Sequence, residues 1–290
     1  MTGWLVVNAF LSGKKYKDIY SLLLESARTH NISLMLYDTA QLSSVVGEGF
    51  GDNILPDFVI FWDKDVCLAK RLEAEGVRLF NCADAVEACD NKALTSLVLS
   101  QAGVRIPRTI IAPKTFEGVG YSDLSFLDNA IHTLGFPLVI KESYGSFGMQ
   151  VYLANTRDEA VEIISGLGYK DFIMQEFVTS SRGRDLRINV VGGKVVASIY
   201  RYNDNDFRSN LTIGGSMKPH TATKAQEELA LSACRALHLD FAGVDVMFGE
   251  DDEPVICEVN SNTHFRTTLE CTGVNLADSI MEYIAGEMKI

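Results

Sequence analysis

Residues 243–262 read GVDVMFGEDDEPVICEVNSN, and their reading decides what the chain is built to do. Two apolar segments, 243–248 and 255–260, flank the acidic turn Gly249-Glu250-Asp251-Asp252-Glu253-Pro254, which is the pattern of a β-hairpin. With Gly249 opposite Pro254, positions summing to about 503 face each other, since each antiparallel step adds one residue on one strand and removes one on the other. Asp245 then lies opposite Glu258, with Asn260 on the same face. Val244, Val246, Phe248, Cys257 and Val259 take the other face as core. Two facing carboxylates repel unless a positive group separates them. A hard divalent cation is one answer, because Mg²⁺ takes carboxylate and carbonyl oxygens; an acidic surface hairpin is the other.

The composition bounds the class. The chain has 290 residues, 47% hydrophobic and 22% charged, enough for about two domains with substantial cores. A net charge of −12 without any Lys/Arg-rich run argues against a nucleic-acid partner, so an anionic ligand would need a local pocket with its own cations. The six cysteines form no CxxC pair and sit mostly in apolar runs, as reduced thiols do in a cytoplasmic protein. The N-terminal MTGWLVVNAF lacks a basic n-region, and no segment approaches a membrane span, so a cytoplasmic location without membrane contact is expected.

Apolar runs at 4–10, 32–37, 58–62 and 77–81 alternate with helical patterns at 16–30 and 66–75, which predicts a parallel, doubly wound α/β sheet. The glycines of 47–51 follow no strand and open no helix, and are read as a plain loop. Residues 83–103 are expected as one helix carrying Asp90-Asn91-Lys92. A small α+β unit follows, centred on a strand ending at Lys141 and the turn Gly145-Ser146-Phe147-Gly148. Residues 187–202 form a hairpin with a Gly192-Gly193 turn.

Several residues carry chemistry by type. Glycines let backbone N–H groups approach phosphate oxygens, and Lys141 supplies charge, although Gly145-x-x-Gly148 is neither a P-loop nor a dinucleotide loop. Gln175-Glu176-Phe177-Val178 passes from an apolar strand into polar chain and can present an edge to a base. Asp185 and Arg187 share a strand face, with Arg201, Arg208 and Asn210 nearby in sequence; Arg187, Arg201 and Arg208 are candidates for a clamp on a transferring phosphoryl group. Each signal alone has a structural alternative: a hairpin turn, a strand end or a surface ion pair.

Their order resembles the ATP-grasp superfamily, and within it the RimK-like carboxylate–amine ligases of the alpha-L-glutamate type, over about residues 81–288. The resemblance implies an ATP-grasp fold of combined α/β and α+β class. It places an N-terminal doubly wound pre-ATP-grasp domain at 1–88, a central subdomain with the glycine loop at 89–178, and a C-terminal subdomain with the metal site at 179–290. It implies ATP with Mg²⁺, or Mn²⁺ in its place. Lys92 and Lys141 would meet the phosphates under Gly145, Ser146 and Gly148, with Gln175, Glu176, Phe177 and Val178 at the adenine and Asp185 at the ribose. Arg208, Ser209 and Asn210 would lie along the phosphate path, and Asp245, Glu258 and Asn260 would hold the metals.

Two departures stand out. Gln150 replaces a glycine common in the phosphate loop, which puts the loop's closure in question, and Asn262-Thr-His-Phe-Arg266 replaces a Ser-Pro-Gly-like turn. The second is more like relatives that load amino acids onto a carrier protein's C-terminal glutamate. His264, Phe265 and Arg266 are therefore the expected substrate residues; the alternative has Phe265 in the core and Arg266 paired with Glu270. The expected activity joins an amino acid to a glutamate-type carboxylate, on a small molecule, peptide or carrier protein, in a homo-oligomer. A free-standing dipeptide or small-metabolite ligase, and a nucleotide-binding regulator without turnover, are the alternatives.

Overall fold

The computed structural model describes residues 1–51, 54–146 and 148–288. Strands β1 (Thr2–Val7), β2 (Ser33–Asp38), β3 (Phe58–Trp62) and β4 (Arg78–Phe80) form a parallel sheet in the order β2-β1-β3-β4. β3 is buried along its whole length because helices cover both faces, which is why its sequence is continuously apolar rather than alternating. Helix α1 (Lys14–Thr29) covers one face and α2 (Val66–Ala74) with α3 (Ala83–Asp90) the other.

The stretch 83–103 is two helices, not the single one expected. Asn91 ends α3 with extended φ/ψ, and its side chain then accepts from the backbone N–H of Ala93 and Leu94. It thus acts as the N-cap of α4 (Lys92–Gln101). The break makes Lys92 the first residue of α4, with its backbone N–H donated to Ser143 O at 2.9 Å.

Strands β5 (Thr109–Ile111), β6 (Leu138–Glu142), β7 (Val151–Ala154) and β8 (Phe172–Glu176) form an antiparallel sheet ordered β5-β8-β6-β7. It packs on α5 (Ser125–Leu134) and α6 (Arg157–Leu167). A third sheet, also antiparallel, runs β11-β10-β9-β12-β13, from β9 (Arg184–Val191), β10 (Lys194–Tyr202), β11 (Ser216–Pro219), β12 (Phe241–Phe248) and β13 (Pro254–Asn260). Gly192 and Gly193 both have positive φ, as the two-residue β9–β10 turn requires. Helix α7 (Lys224–Ala236), with a Thr223/Gln226 capping box, covers one face of this sheet.

Where one terminal helix was expected at 273–288, α8 (Arg266–Thr272) precedes α9 (Leu276–Glu287). Residues of α9 share a core with α1 and β3, tying the end of the chain to its first sheet. Asn81, fully buried just after β4, fastens the two sheets from the other side. Its Nδ2 donates to Phe241 O and Ser261 O, each at 3.0 Å, and its Oδ1 accepts from Asp240 N and Phe241 N. All the bonding capacity of the amide is used, which is what makes its complete burial tolerable. Among the described residues, no helix is long and apolar enough to cross a membrane.

Candidate active site

The hairpin β12–β13 pairs Asp245 with Glu258 and Gly243 with Asn260, as its sequence predicts, but not by the expected register at the turn. Phe248, not Gly249, opposes Pro254, and a β-bulge at Cys257 restores the offset before Glu258 is reached. The extra residue corrects the face assignment of Cys257. Ile256 takes the core position, while Cys257 lines the cleft, its Sγ 3.9 Å from Lys141 Nζ.

Beside Glu258 the third sheet carries a buried network of alternating charge. Strand pairing sets Asp185 opposite Arg201 and Arg187 opposite Asp245. Arg201 donates to both Asp185 oxygens, at 2.8 and 2.5 Å, and its NH2 lies 3.0 Å from Asp245 Oδ1. Arg187 binds Asp245 with Nε and NH2, and its NH1 reaches Thr263 Oγ1 at 3.3 Å. Burial alone would raise the Asp245 carboxyl, but Arg187 and Arg201 hold it below its usual range. Burial likewise works against the Arg201 charge, and Asp185 and Asp245 more than offset it. The positive groups between the facing carboxylates are thus, for Asp245, guanidinium groups.

Glu258 has a different partner. Lys92 Nζ lies 4.0 Å from its Oε1 and donates to Gly145 O at 3.1 Å. Lys92 is pulled below the usual lysine range by burial first, with Lys141 and Lys64 adding repulsion and Glu258 opposing them. Lys92 is half-buried and Lys141 buried, and two ammonium groups against the one carboxylate that Lys92 meets favour a bound anion. Lys92 and Lys141 also line one cleft. Gln175, Glu176, Phe177 and Val178 line the same cleft, with the Phe177 ring edge-on to Phe207 at 6.2 Å. Glu176 is fixed by Arg108, whose backbone N–H donates to its Oε1 at 2.9 Å.

Of the glycine loop, Gly148 lines the cleft and Gly145 O meets Lys92 Nζ. The loop's Phe147 lies outside the described residues. Gln150 closes the loop with its side chain, Oε1 accepting from Ser146 N at 3.1 Å. Lys64, which the sequence did not single out, reaches Ser146 Oγ at 3.3 Å and pairs with Asp90. Gly148 has φ +73° and packs where a Cβ would stand 2.8 Å from Asn210 Oδ1, so the position favours glycine. Arg208 NH1 donates to Gly148 O at 2.6 Å while its other nitrogens bind Asp206. Arg208, Ser209 and Asn210 line the cleft, as do Gly148, Asp185, Asp245 and Glu258.

Asn260 Nδ2 approaches Gly243 O at 3.4 Å. Among the described residues no three His, Cys, Asp or Glu side chains group as a metal cluster. The donor set nevertheless fits a hard cation. A carboxylate offers about four lone-pair sites, and the arginines take three on Asp245, leaving one on Oδ2 beside the Glu258 carboxylate and the Asn260 amide.

The expected substrate residues are not brought together. Phe265 is fully buried against Trp62, ring edge to face, so it is core and not an exposed wall. Arg266 opens α8 and donates to Glu270 at 2.8 Å, with Asp18 at 3.9 Å, directing it toward α1. His264 is half-buried, its ring edge-on to Tyr16 at 6.0 Å; burial, then Lys15 and Arg187, lowers its pKa.

Comparison with known proteins gives this arrangement its family. The RimK-like ATP-grasp domain matches residues 89–284. The chain is 33% identical over 231 residues to the MG012 homolog of Mycoplasma pneumoniae, covering 78% of this chain and 80% of that protein. It is 34% identical over 225 residues to a probable alpha-L-glutamate ligase of Psychromonas ingrahamii, covering 77% and 72%. With human N-acetylaspartylglutamate synthase A it shares 30% over 223 residues, 76% of this chain but 56% of that longer protein. The ATP-grasp ligase PsnB, solved with a minimal precursor, superposes with a TM-score of 0.74 at 17% identity over 99% of this chain and all of that one. On these matches the chain belongs to the RimK-like ATP-grasp family, carboxylate–amine ligases that bind ATP with magnesium and form C–N bonds.

Proposed function

We propose that this protein joins L-glutamate, as the amine, to a carboxylate substrate with cleavage of ATP to ADP. The observation that carries the reading is the meeting of Lys92, Lys141 and Glu258 in one cleft beside the glycine loop, where excess positive charge adjoins a hard-oxygen donor set. The carboxylate attacks the γ-phosphorus, breaking its bond to the bridging oxygen and releasing ADP. The amine nitrogen then attacks the acyl carbon, phosphate leaves with the C–O electron pair, and the nitrogen loses a proton to give the amide.

Lys92 and Lys141 meet the phosphates, and Gln175, Glu176, Phe177 and Val178 receive the adenine. Gly145, Ser146 and Gly148 cover the phosphates, held shut by Gln150 and Arg208. Arg208, Ser209 and Asn210 flank the phosphate path. Glu258 and Asn260, with the remaining site on Asp245, would hold Mg²⁺, which supplies neutralisation of the phosphate charge. Arg187 and Arg201 keep Asp245 ionised and in place, and so position a ligand instead of clamping a phosphoryl group themselves.

Glutamate is chosen as the amine because one relative is named for glutamate ligation and the product named for another, N-acetylaspartylglutamate, carries an aspartyl acyl group on glutamate. The earlier expectation, a glutamate-type carboxylate on a small molecule, peptide or carrier protein, remains as the other half of the same panel. The test supplies ATP, Mg²⁺ and hydroxylamine with each of a panel of carboxylic acids and acidic peptides. A hydroxamate with ADP and phosphate is expected from at least one acid. AMP and pyrophosphate, or no nucleotide cleavage with any acid, would overturn the ligase reading.

A further inference from the structure

In a parallel sheet ordered β2-β1-β3-β4 the chain leaves β1 toward one side and later returns to place β3 on the other. The carboxyl ends of β1 and β3 therefore flank a topological switch point, where open α/β sheets form a crevice. Here those ends are Asn8 and Asp63, directly following Val7 and Trp62, which pair in register.

Asp63 is 6% exposed. Its Oδ1 accepts from the backbone N–H of Lys64 and Asp65, and the Asn8 side chain lies alongside. Its Oδ2 is buried without a hydrogen-bond partner. A buried carboxylate oxygen left unpaired is costly and calls for an explanation. Among the described residues, no cation pairs with it. The Lys64 ammonium is taken by Asp90 and Ser146, Asp65 caps α2, and the remaining titratable neighbour, Tyr20, is neutral and has its pKa raised to about 12.

A second orphan lies at the same place. Asn262, two residues beyond Asn260, donates from Nδ2 to Asp63 O at 2.8 Å, and its Oδ1 is also buried without a partner. That bond fixes which amide atom is the acceptor. Two elements from different sheets thus meet with unsatisfied acceptors, one of them charged, next to the strand that carries Glu258. The missing group is a positively charged donor with more than one N–H, which is what an ammonium offers.

We propose that the crevice between Asn8, Asp63 and Asn262 seats the amino group of the amino-acid substrate, which arrives as an ammonium with Asp63 as its counter-charge and gives one proton to that carboxylate before the nitrogen attacks. The proposal rests on the ligase reading for its placement in the reaction, but binding tests it separately. Equilibrium dialysis of labelled L-glutamate, then of the other common amino acids, is run on the full chain with Mg²⁺ and a non-hydrolysable ATP analogue. One amino acid should bind saturably, and its N-acetyl derivative, which lacks the ammonium, should not compete. Asp63→Asn should weaken that binding by about 10- to 100-fold, the range for a hydrogen bond to a charged group, with analogue affinity unchanged as evidence of an intact fold. Asn262→Ala, which leaves β3 untouched, should weaken it in the same direction. Wild-type affinity in both variants, equal binding of the N-acetyl derivative, or no saturable amino acid would overturn the proposal. Asp63-dependent binding without any hydroxamate or ADP would leave the crevice standing and remove the ligase reading instead.

Discussion

Replacing Asp185 by alanine separates two roles for one carboxylate, a contact to the ribose and a counter-charge inside the sheet. Arg201 is 6% exposed and Asp185 7%, and both Asp185 oxygens are committed to Arg201 at 2.8 and 2.5 Å. The variant leaves Arg201 with one contact, 3.0 Å from an Asp245 oxygen already bound to Arg187. Removing one partner of a buried ion pair costs about 3–5 kcal/mol, because the other charge stays buried. At roughly 2–4 °C per kcal/mol for a chain of this size, Asp185→Ala should lower Tm by roughly 6–20 °C. Asp185→Asn keeps an acceptor oxygen without the charge and should fall between this and the wild type. Urea unfolding and calorimetry without nucleotide give the stability, and an ADP-release assay well below the new Tm gives the KM for ATP. A Tm within about 2 °C of wild type, together with a more than tenfold rise in that KM, would refute the structural role and restore the ribose contact.

Three further outcomes follow from the same geometry. Glu258→Gln should abolish ADP formation and raise the Mg²⁺ concentration needed for nucleotide binding, with an unchanged circular dichroism spectrum; near-normal turnover would remove Glu258 from the metal set. Gln150→Ala deletes the acceptor that closes the glycine loop onto Ser146, so KM for ATP should rise by about 2- to 10-fold, the worth of one hydrogen bond, with little change in Tm. Arg266→Ala removes an exposed, solvent-screened pair with Glu270, so KM for ATP and for both substrates should stay within about twofold; a selective rise for one substrate would return Arg266 to the substrate site.

What the sequence made legible follows from the range of the forces involved. Apolar runs and periodicity depend on burial of whole elements, so the parallel first sheet and the Gly192-Gly193 hairpin could be read directly. The break at Asn91 also had a local signal, an asparagine fit to cap a new helix, but continuous apolar spacing on both sides hid it. Partnerships were the harder layer. Nothing near Asp245 in sequence says that two arginines from β9 and β10 will occupy its oxygens, because register across three strands decides that. The same holds for Lys64 on Ser146 and Asn262 on Asp63, groups 82 and 199 residues apart. Gln150 looked like a defect in a glycine pattern and is instead the group that holds the loop closed.

The bulge at Cys257 shows how a correct pairing can arise from an incorrect turn. Simple hairpin counting from Gly249 and Pro254 places Asp245 opposite Glu258, whereas the actual turn opposes Phe248 and Pro254, one residue short of that register. Without correction, Asp245 would face Cys257, and Glu258 would rotate into the core, since a one-residue slip exchanges the faces of a strand. The core forbids this: Ile256 and Val259 are both buried on the α7 side, although three residues apart, a spacing that regular alternation cannot place on one face. One extra residue between them is therefore required, and it falls at Cys257, whose small side chain fits beside Lys141 in the cleft. The apolar positions on both sides thus fix the carboxylate, and the residue displaced by that constraint becomes part of the cleft wall. Deleting Cys257 would leave the turn unchanged, yet reverse either Glu258 or Ile256, and no register of the hairpin could satisfy both the core and the site.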